Sequence, residues 1–261
     1  MKPLNLSGEV ALVTGGAGAI GSALGRALER CGATVVHCDL QGSDRVVELD
    51  VTDREAFARV ARDVRERHGS LDILVNNAGV GCGGEAQDIP GEQWDLSLDV
   101  NLRGAVNGML AAYPAMIERR KGRIVNVASL AGLLPLPLLT PYAMAKSGLV
   151  GLSTSLRIEA ARFDVKVSAA CPGPVEIPFL DTGGVGGAVT VGLSARRYLT
   201  ASAGPPMTPD AFAAAVMKGM AANRAVIVPG RARMLDGLAR FAPRMTASVI
   251  AGNMRKELKH G

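Results

Sequence analysis

The stretch TGGAGAIG at residues 14–21 decides how the first part of the chain folds. It follows an apolar run, EVALVTG at 9–15, and opens a segment from about 19 to 30 in which apolar residues recur at helical spacing. A glycine-rich turn between a strand and a helix is typical of dinucleotide-binding folds, because free N–H groups at the helix start can bind a pyrophosphate. The turn is therefore a candidate nucleotide site.

The glycines of this turn match the phosphate-binding pattern in two registers. In one register, Gly16, Gly18 and Gly21 fit G-x-G-x-x-G. In the other, the pattern T-G-x-x-x-G-x-G starts at Thr14 and places Ala19 where its middle glycine would stand. A glycine triplet alone is a weak signal, so the register has to be judged from the rest of the chain.

Short β-branched runs alternate with longer helical patterns along the chain. The near-continuous apolar runs, separated by helices, predict an α/β fold with a doubly wound parallel sheet (a Rossmann fold) of about seven strands with helices on both faces. Thr52 is the predicted N-cap of the second helix, with Glu55 completing a capping box. Strands are predicted at 9–15, 33–39, 45–51, 71–79, 122–129, 165–173 and 225–230. Helices are predicted at 19–30, from Thr52, at 91–120 as one or two helices, at 142–161 and from Thr208.

Length and composition indicate one well-buried domain, because the chain has 261 residues of which 48% are apolar. It has no apolar run long enough to span a membrane and no apolar secretory signal at its N-terminus. The four cysteines lack C-x-x-C spacing, so we expect free thiols and a reducing, cytoplasmic location. Three scattered histidines do not predict a metal site.

The net charge of +5 is concentrated near the C-terminus, where seven Lys or Arg and two acidic residues follow from Arg231 onward. In the rest of the chain basic and acidic residues are equal in number, and no basic face carries an element that could contact bases. We therefore expect no nucleic-acid partner. This basic tail also carries apolar residues at helical spacing, with Pro243 expected to break or kink the helix. We favour packing on the body or on a neighbouring subunit, with contact to a membrane surface as the alternative.

Polar residues follow the predicted strands at the edge where ligands bind to such sheets. Asp39 ends the second strand, and its carboxylate can accept hydrogen bonds from the adenosine ribose hydroxyls while repelling a 2′-phosphate. The glycine turn also has no Lys or Arg to neutralise such a phosphate. NAD is therefore the expected cofactor, with NADP as the less favoured alternative. The segment NNAG at 76–79 indicates either close approach by a flat group or an Asx turn.

A serine, a tyrosine and a lysine follow the fifth predicted strand. Tyr142 and Lys146 are four residues apart at the start of a helix, so they share a face. The ammonium is expected to lower the pKa of Tyr142, which would suit proton exchange with an alcohol or a carbonyl. Ser129 could hydrogen-bond to the same substrate oxygen. The alternative is an ordinary exposed helix pair, but the position directly beyond a strand end favours catalysis.

Together these motifs resemble the short-chain dehydrogenase/reductase family of NAD(P)-dependent oxidoreductases over roughly residues 7–230. The resemblance selects the second register, in which Gly15 is the first loop glycine and Ala19 takes the second glycine position. An alanine is tolerated there if that residue already has helical backbone angles. The matching pieces are TGGAGAIG, Asp39, DVT at 50–52, NNAG at 76–79, Asn101, Ser129, YAMAK at 142–146 and PGPV at 172–175.

The resemblance implies a role for each matching residue. Tyr142 would be the general acid/base, Lys146 would bind the nicotinamide ribose and lower the pKa of Tyr142, and Ser129 would orient the substrate oxygen. Asn101 would hold a water that links Lys146 to solvent, unless it is only the amide of a helix kink. The cofactor would be bound by Gly15, Gly18, Ala19, Ile20, Gly21, Asp39, Leu40, Asp50, Val51, Asn76, Ala78, Gly79, Tyr142, Lys146, Pro172, Gly173 and Val175.

The three parts of the cofactor would meet different segments. Asp50 and Val51 are expected at the adenine, residues 76–79 beside the adenine and its ribose, and residues 172–175 at the nicotinamide. Ile177 departs from the family, which often has threonine there, and this removes a hydroxyl contact on the nicotinamide side.

The loop at 130–140 is expected to form a wall of the substrate pocket. Its uncharged leucines predict a small apolar alcohol or ketone as substrate, unless they pack into a subunit interface instead. These leucines are Leu133, Leu134, Leu136, Leu138 and Leu139.

The sequence thus predicts an NAD-dependent oxidoreductase that interconverts a secondary alcohol and a ketone. We expect a catalytic domain at 1–230 with a substrate lid at about 179–206, and a basic amphipathic helical extension at 231–261. The resemblance implies a homodimer or homotetramer built on the helices at about 102–120 and 142–161. The rival interpretations are reduction of a carbon–carbon double bond and a catalytically silent dinucleotide-binding regulatory or structural protein.

Overall fold

A computed structural model describes residues 4–182 and 194–259 of the chain. Its centre is a parallel sheet of seven strands, which confirms the predicted fold class. The strands are β1 (Val10–Thr14), β2 (Thr34–Asp39), β3 (Val46–Glu48), β4 (Ile73–Asn76), β5 (Gly122–Val127), β6 (Val165–Ala170) and β7 (Val226–Ile227). Their order across the sheet is β3-β2-β1-β4-β5-β6-β7, so the direction of winding changes between β1 and β4. Ligands of such sheets bind beyond the carboxyl ends of the strands at this point.

Helices connect the strands and cover both faces of the sheet. They are α1 (Ala19–Arg30), α2 (Arg54–His68), α3 (Gly91–Leu98), α4 (Gly104–Arg119), α5 (Thr140–Ala160), α6 (Phe179–Thr182), α7 (Ala195–Ala203), α8 (Pro209–Ala221), α9 (Ala232–Phe241) and α10 (Pro243–Glu257). Short 3-10 turns lie at Leu130–Gly132 and Ala161–Phe163. None of the helices within the described residues is both long and apolar enough to cross a bilayer.

Alternation along β1 shows how the core is divided between the two faces. Ala11 and Val13 pack in one buried cluster with side chains of α1 and α8, whereas Val10 and Leu12 pack in another with side chains of α2, α4 and α5. Successive side chains of a strand point to opposite faces, so a strand buried on both sides must be apolar throughout. This explains the uninterrupted apolar run before the glycine turn.

The start of α2 differs from the prediction, because Asp53 and not Thr52 is its N-cap. The Asp53 carboxylate accepts a hydrogen bond from the N–H of Ala56 at 2.9 Å. The Asp50 carboxylate accepts from both the N–H and the hydroxyl of Thr52, at 2.8 and 2.7 Å. The predicted capping box of Thr52 with Glu55 is therefore wrong, since Asp50 engages the threonine and the next residue caps the helix.

The long and irregular segments of the sequence are resolved into distinct elements. The predicted helix at 91–120 forms as α3 and α4, joined by a π-helical segment at Asp99–Arg103. The proline break is confirmed, because α9 ends at Phe241 and α10 begins at Pro243. The predicted lid at 179–206 contains α6 and α7, and its residues 183–193 lie outside the described part of the chain.

The buried carboxylate of Asp72 joins three segments of the chain through hydrogen bonds. Its carboxylate accepts from the N–H of Val10 at 2.9 Å, the hydroxyl of Ser70 at 2.6 Å and the guanidinium of Arg119 at 2.6 Å. Burial alone would raise the pKa of Asp72, but the hydrogen bonds from Ser70, Val10 and Arg119 together hold it below its ordinary value of 3.8. A carboxyl group whose pKa is depressed by folding stabilises the fold above the unfolded pKa, and this contribution is lost as the pH falls through the folded pKa.

We therefore expect Asp72→Asn to lower the free energy of unfolding at pH 7 by about 1–3 kcal/mol, because it weakens three hydrogen bonds to a buried carboxylate. Urea unfolding of both proteins between pH 7 and pH 3 measures this, and the difference should shrink below pH 3.8. Asp210→Asn is the control, because the Asp210 side chain is 63% exposed in its ion pair with Arg26. Equal losses for the two variants would contradict the assignment.

Candidate active site

The glycine turn lies at the carboxyl end of β1, where the winding of the sheet reverses. Gly15 has a φ of +63°, a conformation that favours glycine, and a Cβ on Gly21 would collide with the carbonyl oxygen of Gly15. Ala19 is the first residue of α1, which agrees with the second register and its helical alanine. Gly18 is the N-cap and offers no side chain to the first N–H groups of the helix. The turn thus combines close backbone packing with the helix N–H donors that a pyrophosphate requires.

Thr14 fixes the loop after β4 against this turn. Its hydroxyl accepts hydrogen bonds from the N–H groups of Asn77 and Ala78, both at 3.0 Å. The Asn77 side chain donates to the carbonyl oxygens of Thr14 at 2.9 Å and Gly15 at 3.1 Å. Asn77 was not among the predicted site residues, although its place within NNAG was the signal that could have found it.

The structure directs the Asn76 side chain away from the crevice. Asn76 is 5% exposed and donates to the carbonyl oxygen of Ala105 at 3.3 Å and the amide oxygen of Asn126 at 2.8 Å. It is the last residue of β4, and its side chain alternates onto the face of the sheet that α2, α4 and α5 cover. Any contact of Asn76 with the cofactor is therefore left to its backbone, while Asn77 and Gly79 line the crevice.

Asp39 lies beside the glycine turn at the end of β2. Its carboxylate accepts hydrogen bonds from the N–H of Ala17 at 2.9 Å and of Leu40 at 2.8 Å. The Leu40 side chain is 60% exposed, Asp50 is exposed and Val51 is buried. These residues border the β2 side of the turn, where the resemblance places the adenosine end of the cofactor.

Ser129, Tyr142 and Lys146 come together at the carboxyl end of β5 and the start of α5. The Ser129 side chain lies beside the Tyr142 hydroxyl and favours its phenolate form. The ammonium of Lys146 donates to the carbonyl oxygen of Val127 at 2.9 Å and lies 5.5 Å from the centre of the Tyr142 ring. The geometry thus joins the three residues that the sequence singled out.

The electrostatics of this group differ from the expectation for Tyr142. Burial raises the pKa of Tyr142 above its ordinary value of 10.0, and the neighbouring Ser129 side chain only partly offsets this. Burial also lowers the pKa of Lys146 to about 8. The predicted lowering of the Tyr142 pKa is therefore wrong, because removing the phenolate from water outweighs the stabilisation that its neighbours give.

Asn101 lies in the π-helical segment and links it to the loop after β4. Its amide donates to the carbonyl oxygens of Val80 and Ser97, both at 3.0 Å, and its amide oxygen accepts from the N–H of Val80 at 3.2 Å. A Cβ on Gly79 would lie 2.8 Å from the Asn101 amide oxygen and 3.4 Å from the Lys146 ammonium. The side chain thus holds the helix bend beside Lys146, and the predicted water relay stays a prediction.

The segment after β6 completes the crevice on the far side of the glycine turn. The carbonyl oxygen of Pro172 accepts from the N–H of Leu130 at 2.7 Å, which ties this segment to the loop that carries Ser129. Pro172, Gly173 and Val175 all line the crevice, as expected for the nicotinamide side. Ile177, which replaces the usual threonine, also lines it and makes this wall apolar.

The crevice has a cavity volume of about 190 Å³ and is mostly apolar beyond the Ser129–Tyr142–Lys146 group. Lys146 is the one charged side chain among the described residues that line it. No cluster of His, Cys, Asp or Glu within the described ranges could hold a metal ion. Apolar lining is contributed by Leu134, Leu136, Leu139, Phe179, Leu180, Leu199 and Ile250.

Only part of the leucine loop forms the wall that the sequence predicted. Leu134, Leu136 and Leu139 line the crevice, whereas Leu133 lines a neighbouring groove and Leu138 is buried elsewhere, with a φ of +63°. The loop thus contributes to the wall through three of its five leucines.

The roof of the crevice comes from α7, which lies in the predicted lid, and from α10, whose contribution was missed by sequence reasoning. Leu199 and Ile250 line the crevice from these helices. Glu257, which is 3% exposed, accepts from the Arg197 guanidinium at 2.6 and 2.8 Å and from the N–H of Ser194 at 2.9 Å. The end of α10 is thus fixed to the start of α7.

A family model described as short chain dehydrogenase matches residues 9–182, which span the glycine turn and the Ser129–Tyr142–Lys146 group. The chain belongs to the short-chain dehydrogenase family. It is therefore an oxidoreductase of a family that binds a nicotinamide dinucleotide, and the glycine turn fits such a group.

Relatives of this short-chain dehydrogenase include reductases and dehydrogenases. It is 34% identical to the 3-oxoacyl-acyl-carrier-protein reductase FabG of Thermotoga maritima over 68% of this chain and 78% of that protein. It is 33% identical to 2-(S)-hydroxypropyl-CoM dehydrogenase 3 of Xanthobacter autotrophicus over 89% of this chain and 96% of that protein. Among solved structures, an actinorhodin polyketide ketoreductase with NADPH is similar with a TM-score of 0.73 and 31% identity, over 84% of this chain and 95% of that one.

Proposed function

We propose that this short-chain dehydrogenase interconverts a secondary alcohol and a ketone, with NAD as cofactor and Tyr142 as the general acid/base. The observation that carries the proposal is the position of Ser129, Tyr142 and Lys146 together in the wall of one mostly apolar crevice at the carboxyl ends of the strands. The relatives named above are a reductase of an oxo group and a dehydrogenase of a hydroxyl compound, which agrees with this reaction.

Each polar residue of the group has a defined task in this reaction. In the reductive direction the Tyr142 phenol donates its proton to the substrate oxygen, while the Ser129 hydroxyl hydrogen-bonds to the same oxygen and holds it in place. The nicotinamide, when bound, supplies or accepts the hydride. Lys146 would bind the ribose hydroxyls and stabilise the phenolate that remains when the proton leaves Tyr142. Oxidation reverses the proton transfer, so Tyr142 must then act as a base.

The raised pKa of Tyr142 gives this proposal a pH dependence. Because burial keeps the phenol neutral at pH 7, the residue is ready to donate a proton, as ketone reduction requires. Alcohol oxidation needs the phenolate, whose fraction increases with pH. The ratio of the initial rate of oxidation to that of reduction should therefore increase as the pH is raised above 7.

The preference for NAD rests on Asp39. Its carboxylate lies at the glycine turn, where it can accept hydrogen bonds from ribose hydroxyls and repel a 2′-phosphate. A substrate screen with NAD and NADP side by side, followed at the absorbance of the reduced nicotinamide, tests reaction and cofactor together. Binding of NADH without turnover across a broad panel of secondary alcohols would favour the silent, regulatory alternative.

We further propose an apolar substrate, because a charged group entering the pocket would lose its hydration without finding a partner other than Lys146. The kcat/KM of a bulky apolar secondary alcohol should exceed that of a negatively charged hydroxy acid by about 10-fold or more. Ile250→Ala should lower kcat/KM for the apolar alcohol by about 10-fold, since it removes several apolar atoms from the roof. Ser248→Ala, an exposed neighbour on the same helix, serves as control. A preference for the charged acid would refute an apolar substrate.

We also propose that the chain forms a homodimer or homotetramer through α4 and α5. These helices expose the apolar side chains of Leu110, Met144 and Ile158, with exposed fractions of 45%, 42% and 80%. Side chains of this kind are buried in the interfaces of stable oligomers. Mass measurement of the purified protein by light scattering tests the assembly.

A further inference from the structure

The two helices α9 and α10 have one face on the body and another directed outward. Toward the body, Leu235 packs beside the loop that follows Ser129, and Ile250 lines the crevice. Packing on the body, the favoured interpretation of the sequence, therefore accounts for one face only. The other face, here called the outer apolar face, consists of Met234, Leu238, Phe241, Met245 and Val249, which are 70%, 40%, 92%, 52% and 59% exposed.

The residues of the outer apolar face follow one another at intervals of three or four. Met234, Leu238 and Phe241 therefore share one side of α9, and Met245 and Val249 share one side of α10. Phe241 stands at the joint of the two helices and is nearly fully exposed. A set of large apolar side chains exposed in sequence along two adjoining helices is typical of an interaction site and not of scattered surface residues.

The charges around this face have one sign. Both acids of the extension are engaged in ion pairs, because Asp236 binds Arg240 at 3.2 Å and Glu257 binds Arg197 at 2.6 Å. Six further basic residues are exposed and have no acidic partner within the described ranges. These are Arg231, Arg233, Arg244, Arg255, Lys256 and Lys259. The exposed surface of the extension is thus apolar and cationic.

We propose that the outer apolar face docks this protein on an anionic membrane surface. Helices that combine an apolar stripe with flanking Lys and Arg lie in the plane of the bilayer interface, with the stripe in the acyl boundary and the cations at the lipid headgroups. A second copy of the chain is a poorer partner, because a two-fold contact would place the same arginines opposite each other. Two short helices joined at Pro243 suit a surface and do not cross the bilayer.

This surface also lies on the roof of the crevice. The helix that exposes Met245 and Val249 outward presents Ile250 to the crevice on its other side. Docking would therefore bring the pocket close to the bilayer, from which an apolar substrate could enter. This last step rests on the proposed function, whereas the docking itself does not and can be measured without any turnover.

Co-sedimentation with vesicles of phosphatidylcholine containing about one third phosphatidylglycerol tests the docking with the full chain. We expect binding at low salt and at least 10-fold weaker binding for the double variant Phe241→Ser/Met245→Ser. The matched control is Val47→Ser, because Val47 is an exposed apolar residue at the opposite edge of the sheet. The variants replace exposed side chains, and their thermal unfolding transitions should stay close to that of the parent.

Charge reversal tests the electrostatic part separately. Arg255→Glu/Lys256→Glu should abolish vesicle binding. The control Arg62→Glu/Arg67→Glu on α2 makes the same change in net charge and should retain most of the vesicle binding. Binding should also weaken strongly at high salt, since the Debye length becomes short. Equal sedimentation of parent and double variant overturns the proposal. The proposal is also overturned if the parent protein does not bind the vesicles and the double variant has a smaller molecular mass in solution than the parent. That result would assign the outer apolar face to a contact between copies of the chain.

Discussion

Replacing Tyr142 by phenylalanine is expected to lower kcat by about 10³-fold, because general acid/base catalysis typically contributes 10²–10⁴. The change removes one oxygen, the hydroxyl beside Ser129, and leaves the ring in place beside Lys146. The free energy of unfolding should change little. NADH should still bind, because the glycine turn and Asp39 are untouched.

Single-turnover and steady-state rates in both directions measure this effect, with fluorescence titration of NADH as the binding control. A matched comparison is Tyr113→Phe, which removes a phenol oxygen from α4, outside the crevice. Retention of a large part of the parent rate by Tyr142→Phe would exclude the phenol as the proton donor. Loss of NADH binding would instead show that the substitution damages the crevice.

The second large effect is expected for Asp39→Ala, which should shift the ratio of kcat/KM for NAD to that for NADP toward NADP by about 100-fold. Two charges at short range near a protein surface repel by a few kcal/mol, and 1.36 kcal/mol corresponds to a factor of ten. The loss of hydrogen bonds to the ribose also weakens NAD. The substitution removes the acceptor for the N–H groups of Ala17 and Leu40, so those donors become free for a phosphate.

Initial rates with both cofactors at fixed substrate measure the ratio. Asp44→Asn is the control, because it removes a charge from the exposed turn after β2 without touching the glycine turn. An unchanged ratio for Asp39→Ala would mean that another residue sets the preference. A parent that already prefers NADP would contradict the assignment of NAD itself.

The parts of this protein that could be predicted from its sequence are those in which a local pattern dictates geometry. The apolar run before TGGAGAIG has to be a strand buried on both faces, and Gly15 and Ala19 of that turn adopt the angles their register requires. Tyr142 and Lys146 share a helix face because they are four residues apart. These features depend on neighbours in the chain, and so they follow from spacing.

Other features depend on contacts between distant segments, which spacing does not show. The side chain of Asn76 points into the sheet's helix layer because Asn76 is the last residue of β4, whereas Asn77, one position later, lines the crevice. The sequence does not show at which of the two residues the strand ends. The pKa of Tyr142 depends on how completely the pocket removes water, which no motif records. Leu199 and Ile250 line the crevice from α7 and α10, two helices that Glu257 and Arg197 join across 60 residues of the chain.

The ion pair between Glu257 and Arg197 joins α7 and α10 into a unit that is distinct from the part of the chain that carries the proposed catalytic residues. The residues proposed to transfer the proton and to bind the cofactor lie at the strand ends and on α5, whereas the roof of the crevice comes from α7 and α10. An exchange of the roof between homologous enzymes could therefore alter which molecules are accepted while the reaction stays the same. An engineered exchange should therefore replace α7 and α10 together and keep both Arg197 and Glu257.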